Sequence, residues 1–163
     1  MLKRRGRRVK IRDILKKNAI LVDLKAPDKT EAITRLGLYC ASLYNLDNAE
    51  TIVNKLLARE SAMSTGIGFG IAIPHARIEG IDHVYLVASR LHEQIEFDSI
   101  DDLPVDLVFL LLSPANTTTG HTEILSALSR IMSYEEVRKN MREAKNAEAF
   151  LHIISRSEDK YVQ

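Results

Sequence analysis

The chain has 163 residues, enough for one domain that buries most of the surface its unfolded form would expose. With 45% hydrophobic and 28% charged residues it reads as an ordinary soluble globular protein; its longest apolar run, Leu107 to Leu112, is far below the roughly 20 residues of a membrane span. Cys40 is the sole cysteine, which excludes an intrachain disulfide and a cysteine metal cage. The net charge of +1 conceals an asymmetry, because Lys3, Arg4, Arg5, Arg7, Arg8, Lys10 and Arg12 all precede the first acid, Asp13. Residues 1–9 are thus expected to form a basic, flexible tail on a mildly acidic body. Such a tail attracts nucleic acid or an anionic surface, or is simply solvated. With no aromatic residue interleaved, the solvated reading is preferred and no nucleic-acid partner is expected. The tail lacks an apolar h-region, so it is not a secretory signal, and a cytoplasmic location is expected.

Val9 to Lys17 reads as a short helix, and Ile20 to Leu24 as a strand. A helix follows from about Lys29 to Tyr44, with Asp28 as N-cap and Glu31 at capping-box spacing. Its apolar face is Ile33, Leu36, Tyr39 or Cys40, and Leu43, and Cys40 at such a position is read as a buried thiol. Asn48 is placed to cap a second helix running through Glu60, with Ile52, Val53, Leu56 and Leu57 inward. Alternating glycines, Gly66, Gly68 and Gly70, then lead into a strand, Ile71 to Ile73. Pro74 is expected to end that strand, since it offers no N–H to a ladder. Strands are predicted from Val84 to about Leu91 and from Val105 to Leu112, the latter apolar at nearly every position and so covered on both faces. The short connection after Ile73 suggests that the second and third strands pair antiparallel. Helices from His121 to Met132, Tyr134 to Ala144 and Ala147 to Ser155 complete a domain spanning 10–156, with 157–163 frayed. This order indicates an α/β fold, a three-layer α/β/α sandwich around a mixed sheet.

Several chemistries fail on spacing. The alternating glycines make no G-x-G-x-x-G, and no G-K-[ST] follows them. His75, His83, His92, His121 and His152 form no metal-ligand pattern, and no G-x-S-x-G is present, so no metal or cofactor is expected. What remains needs only histidine. A neutral imidazole, with an ordinary pKa of about 6.5, is a nucleophile at neutral pH. Attack on a phosphoryl group gives an N–P bond that passes the group onward, while backbone N–H groups and guanidinium neutralise its oxygens. His75, directly after Pro74 and between Arg59 and Arg77, is the candidate, although a lone histidine in that position is more often structural.

The run from Arg59-Glu60 through Ser64-Thr65-Gly66-Ile67-Gly68 to Ile73-Pro74-His75 resembles the active-site signature of the type 2 enzyme IIA proteins of the bacterial phosphoenolpyruvate-dependent phosphotransferase system. Phe97 to Leu112 resembles that family's second block, and His121 to Leu128 its histidine-led helix. The resemblance implies a phosphohistidine carrier, with His75 taking the group on its tele nitrogen from a histidine phosphocarrier protein. It implies that His121 helps hold the phosphate and that Arg59 lies near it. His121 as a mere neighbour of a helix cap, and Arg59 as a cation closing a helix C-terminus, are the structural alternatives. Ser64, Thr65, Gly66 and Arg77 are further candidates for phosphate contact, the glycines serving to bring backbone donors to it. Thr122 departs from the leucine common after the second histidine. The Asp98 to Leu107 block is similar to nitrogen-regulatory members, whose phosphorylation state governs binding to regulatory targets. The alternative is a fructose- or mannitol-type protein that passes phosphate to a cysteine of an enzyme IIB.

Overall fold

The computed structural model describes residues 7–117 and 119–163, so the first six residues of the expected basic tail lie outside it. Among the described residues, six helices enclose a six-stranded mixed sheet. A short α1 (Ile11–Ile14) and a 3-10 turn (Lys17–Ala19) replace the single predicted helix and lead into β1 (Ile20–Leu24). Then come α2 (Lys29–Leu43), α3 (Ala49–Ala62), β2 (Gly66–Gly68), β3 (Ile71–Ala72) and β4 (His75–Ile78). The rest is β5 (Tyr85–Ile95), β6 (Val105–Pro114), α4 (His121–Met132), α5 (Glu135–Glu143) and α6 (Ala147–Tyr161). Among the described residues, no helix is long and apolar enough to cross a membrane.

The organising element is β6. Its side chains alternate between faces, as a strand requires, yet every one from Leu107 to Leu112 is fully buried. Leu107, Phe109 and Leu111 join one core with Ile124, Leu128, Met141, Phe150 and Ile154 of the later helices. Val108, Leu110 and Leu112 join a second core with Ile33, Leu36, Cys40, Ile52 and Leu56 of α2 and α3. Two cores on the two faces of one sheet are the three-layer sandwich that the element order indicates. Within it the Cys40 thiol is buried, and desolvation pushes its pKa up to about 12.

The sheet order is β1-β5-β6-β3-β2, with β4 also on β6. The expected antiparallel pairing of the second and third strands does not occur, because β6 lies between them. It pairs antiparallel with β5 on one side and parallel with β3 and β4 on the other. β3 does end before Pro74, as expected, but the chain does not leave the sheet there. Pro74 lacks a donor, but its carbonyl accepts from Leu111 N at 2.9 Å, so the chain stays on β6 and His75 opens a further strand. At the helix ends, Asp28 accepts from Glu31 N as expected at a cap. Asn48 instead sits at φ +59° with no side-chain capping bond. The last helix runs past Ser155 to Tyr161 because Ser157 and Glu158 are buried, with Glu158 accepting from Ile11 N at 2.6 Å. Residues 157–161 are therefore part of the body and not a frayed end.

Candidate active site

The pairing of β4 with β6 assembles the site. Register places His75 beside Leu111 and Arg77 beside Ser113. The chain then leaves β6 and re-enters as α4, whose first residue is His121. The rings of His75 and His121 meet edge to face with centroids 5.5 Å apart, although the residues are far apart in sequence. Arg59, in the last turn of α3, acts electrostatically on His75, as does Arg77.

Each imidazole has one nitrogen committed. Nδ1 of His75 is 2.8 Å from the Ile73 carbonyl, which can only accept, so Nδ1 carries the proton. The lone pair of the neutral ring is then on Nε2. Nδ1 of His121 is 2.6 Å from the Ser113 hydroxyl. With that hydroxyl donating, His121 holds its own proton on Nε2, where it is a donor to an anion. Burial pushes both rings toward the neutral form. The pKa of His75 is lowered chiefly by desolvation and further by Arg59 and Arg77, against the opposing pull of the Ile73 carbonyl and Glu60. Desolvation, then Arg77 and His75, bring His121 down to about 4. The result is a nucleophilic nitrogen beside a neutral N–H donor, flanked by two guanidinium groups. α4 adds an N-terminus without a side-chain cap, which favours negative charge.

The candidates split on this geometry. His75 and His121 meet, and Arg59 and Arg77 act electrostatically on His75. Arg59 and Arg77 each spend one Nη1 on a backbone carbonyl, those of Met63 and Thr117, which fixes the side chains and leaves other N–H groups over. The hydroxyls of Ser64 and Thr65 and the backbone N–H groups of Thr65 and Gly66 are engaged internally. Ser64 Oγ donates to Phe97 O and accepts from Gly66 N, while Thr65 donates from N and Oγ1 to the buried Glu60 carboxylate. Gly68 and Gly70 form the β2–β3 turn at the other end of the strand pair. They shape a hairpin, and Glu60 holds its near end. Glu60 in turn takes Lys29 Nζ at 3.5 Å, and Lys29 reaches Asp98 at 2.8 Å.

Sequence reasoning missed Ser113 and Glu60. Ser113 lies in the strand that the motif skips, and its partner is visible only once β6 and α4 are placed. Glu60 belongs to the motif, and the one available signal is its spacing four residues after Leu56, on the apolar side of α3.

The family model of the phosphoenolpyruvate-dependent sugar phosphotransferase system, EIIA 2, matches residues 13–157. A nitrogen regulatory protein of Bradyrhizobium diazoefficiens is 32% identical over 145 residues, covering 89% of this chain and 94% of the relative. The fructose-specific EIIA component of Haloferax volcanii is 35% identical over 137 residues, 83% of this chain and 89% of the relative. Among solved structures, the nitrogen regulatory protein IIA-Ntr of Neisseria meningitidis superposes with a TM-score of 0.83 at 33% identity, over 88% of this chain and 98% of that one.

Proposed function

The chain belongs to the EIIA 2 family of the phosphoenolpyruvate-dependent sugar phosphotransferase system, and on that premise we propose that His75 is its phosphoryl acceptor, charged by a histidine phosphocarrier protein in the cytoplasm. The observation that carries the reading is the bond from His75 Nδ1 to the Ile73 carbonyl, which leaves Nε2 as the nucleophile. The Nε2 lone pair attacks phosphorus while the bond from phosphorus to the donor histidine breaks, its electron pair staying on the donor ring. Positive charge gathering on the His75 ring is met by the Ile73 carbonyl at Nδ1. His121 Nε2–H, Arg59 and Arg77 neutralise the phosphoryl oxygens, and Ser113 positions His121. Ser64, Thr65 and Gly66 support the loop and do not contact the phosphate.

The output is protein binding governed by phosphorylation of His75, as the resemblance to nitrogen-regulatory proteins suggests. About two negative charges added beside Arg59 and Arg77 repel acidic partners and supply acceptor oxygens to basic ones. A second reading, transfer to an enzyme IIB cysteine for sugar uptake, is favoured by the similarity to a fructose-specific component. Incubation with a phosphocarrier and phosphoenolpyruvate-derived label tests the acceptor. His75→Ala is expected to take up no acid-labile phosphate while keeping its fold, and uptake by that variant would reassign the acceptor. Mixing the labelled protein with a fructose-type enzyme IIB separates the outputs, since rapid loss of label supports sugar transfer and persistent label supports regulation.

A further inference from the structure

The nitrogen that His75 offers to phosphorus is set by one bond, from Nδ1 to the Ile73 carbonyl, so whatever aims that carbonyl aims the nucleophile. The segment around it is held from two sides. Pro74 O accepts from Leu111 N at 2.9 Å, which ties one side to β6, and Ile73 N donates to Thr65 O at 3.0 Å on the other. Thr65 lies between α3 and β2, in a short stretch that neither element fixes, so its placement depends on what its remaining polar groups hold. Both of these, N and Oγ1, donate to the carboxylate of Glu60 in the last turn of α3. Glu60 is 5% exposed and Thr65 4%, so bulk water does not stand ready to replace these bonds. The carboxylate is itself held by Lys29, the first residue of α2, whose Nζ lies 3.5 Å from Oε1 and also reaches Asp98.

We propose that Glu60 is a positioning residue for phosphoryl acceptance: through Thr65 and Ile73 it fixes the carbonyl that keeps the proton of His75 on Nδ1 and the lone pair on Nε2. The inference rests on the reading of His75 as the acceptor. A carboxylate suits the task because its two oxygens accept from the N–H and the O–H of one residue at once, which fixes the orientation of Thr65 as well as its distance. Within Thr65 and within Ile73 the N–H and the carbonyl belong to different planar peptide units joined at Cα, so the chain of bonds passes on position and carries no proton. At its end the effect becomes chemical. An imidazole without a fixed acceptor at Nδ1 divides its proton between the two nitrogens, and the Nε2–H form has no lone pair to offer there. Among the described residues Glu60 bonds to neither imidazole, so its bonds reach the acceptor only through the loop. Its charge is felt at the ring as well: desolvation chiefly lowers the His75 pKa, and Glu60 is one of the groups that oppose it.

The test is ¹⁵N NMR of the His75 ring in the unphosphorylated full chain, paired with rates of phosphorylation by a histidine phosphocarrier protein. Glu60→Ala is expected to move the His75 signals from the Nδ1–H form toward a mixture of tautomers, leaving those of His121, held by Ser113, as they are. Its maximal rate is expected to fall on the order of 10- to 100-fold, as for a slightly misplaced reacting group, at an unchanged half-saturating carrier concentration because Glu60 is buried. Glu60→Gln keeps an acceptor for Thr65 N and turns an N–H toward the Thr65 hydroxyl, which can accept. It is expected to retain the Nδ1–H form and most of the rate. A glutamine variant as impaired as the alanine one would assign the effect to charge and overturn the proposal. Gly70→Ala, strained at a turn outside this chain of bonds, serves as the stability control and is expected to keep the Nδ1–H form. A tautomer shift there too would mean general loosening and overturn the proposal, as would unchanged His75 signals in a folded Glu60→Ala. Should Glu60→Ala fail to fold, Thr65→Val decides, since it removes only the hydroxyl bond: a partial shift is expected, and unchanged signals would overturn the positioning role. The tautomer is read without phosphoryl transfer, so failure here leaves the acceptor assignment standing. Failure of that assignment shows separately, as uptake of label by His75→Ala.

Discussion

His121 is 8% exposed, its Nδ1 is taken by Ser113, and the charges acting on it, Arg77 and His75, are cations or become so on protonation. A proton on this ring is therefore disfavoured, and the pKa falls to about 4 against about 6.5 in an unfolded chain. Between these values the unfolded state binds more protons, so stability declines as pH falls from about 6.5 toward 4. The loss is on the order of 2 kcal/mol, and urea midpoints across that range check it. His121→Gln is expected to flatten the decline, while an equal decline in that variant would place its origin elsewhere. His75 moves in the same direction, so its acceptor form persists below pH 6.5. The rate of phosphorylation against pH is accordingly expected to show its acidic midpoint under 6.5, and a midpoint above it would contradict the desolvated site. Ser113→Ala is expected to keep some phosphorylation of His75 while shifting the ¹⁵N signals of His121 toward a mixture of tautomers. At this scale the two histidines were legible because their motifs are local. Ser113 and the engaged donors of residues 64–66 were not, since a hydrogen-bond partner across the sheet leaves no mark on spacing.

The β2–β3 hairpin shows what the glycines contribute at the scale of an element. Gly70 has φ +79°, and a Cβ there would collide with Arg142 Nη2 and stand 3.0 Å from Asp106 Oδ1. These two groups form the ion pair, with Nε to Oδ2 at 3.0 Å, that ties α5 to the start of β6. Gly70→Ala thus combines left-handed strain of about 1–2 kcal/mol with disruption of a half-buried pair. A loss of roughly 2–4 kcal/mol in a denaturant titration is expected, with His75 still phosphorylated because the turn is at the other end of the strand pair. Gly66→Ala acts nearer the site. Its Cβ would meet Ser99 Oγ and, at 2.9 Å, the Ser99 Cα, which is backbone and cannot turn aside. That variant is expected to lose both stability and acceptor rate, since Thr65 O holds Ile73 N and Ile73 O holds His75. If Gly66→Ala left phosphorylation kinetics unchanged, this chain of bonds would not position the acceptor. Helices α2 and α4 were legible to within a residue or so because apolar periodicity and end signals are local. Strand order was not, because pairing is decided by which strand is apolar on both faces, and β6 takes the centre from late in the chain.

The three layers meet the N-terminal segment at a single buried carboxylate. Glu158 is 2% exposed and accepts from Ile11 N at 2.6 Å and Arg12 N at 3.3 Å, closing the first turn of α1 against α6. Ile11 itself is fully buried in the core shared by α4, α5 and α6. The boundary between tail and body, expected after residue 9, can be tested by how much stability each cut removes. Removing residues 1–8 deletes the exposed Arg8 bond to Gln163 and most of the basic run. The thermal midpoint is expected to move by no more than about 3 °C, because exposed contacts of this kind contribute under about 1 kcal/mol. Removing residues 1–13 also takes away Ile11, a loss of about 2–4 kcal/mol for a buried aliphatic side chain. It leaves Glu158 buried without its donors, at a further cost of about 1–3 kcal/mol. A fall of about 10 °C or more is expected from that cut at this chain length. Glu158→Gln separates the two contributions, since it keeps the core intact and weakens only the charged acceptance. Equal midpoints for the two truncations would mean that α1 rests on the domain without helping to hold its helical layer together.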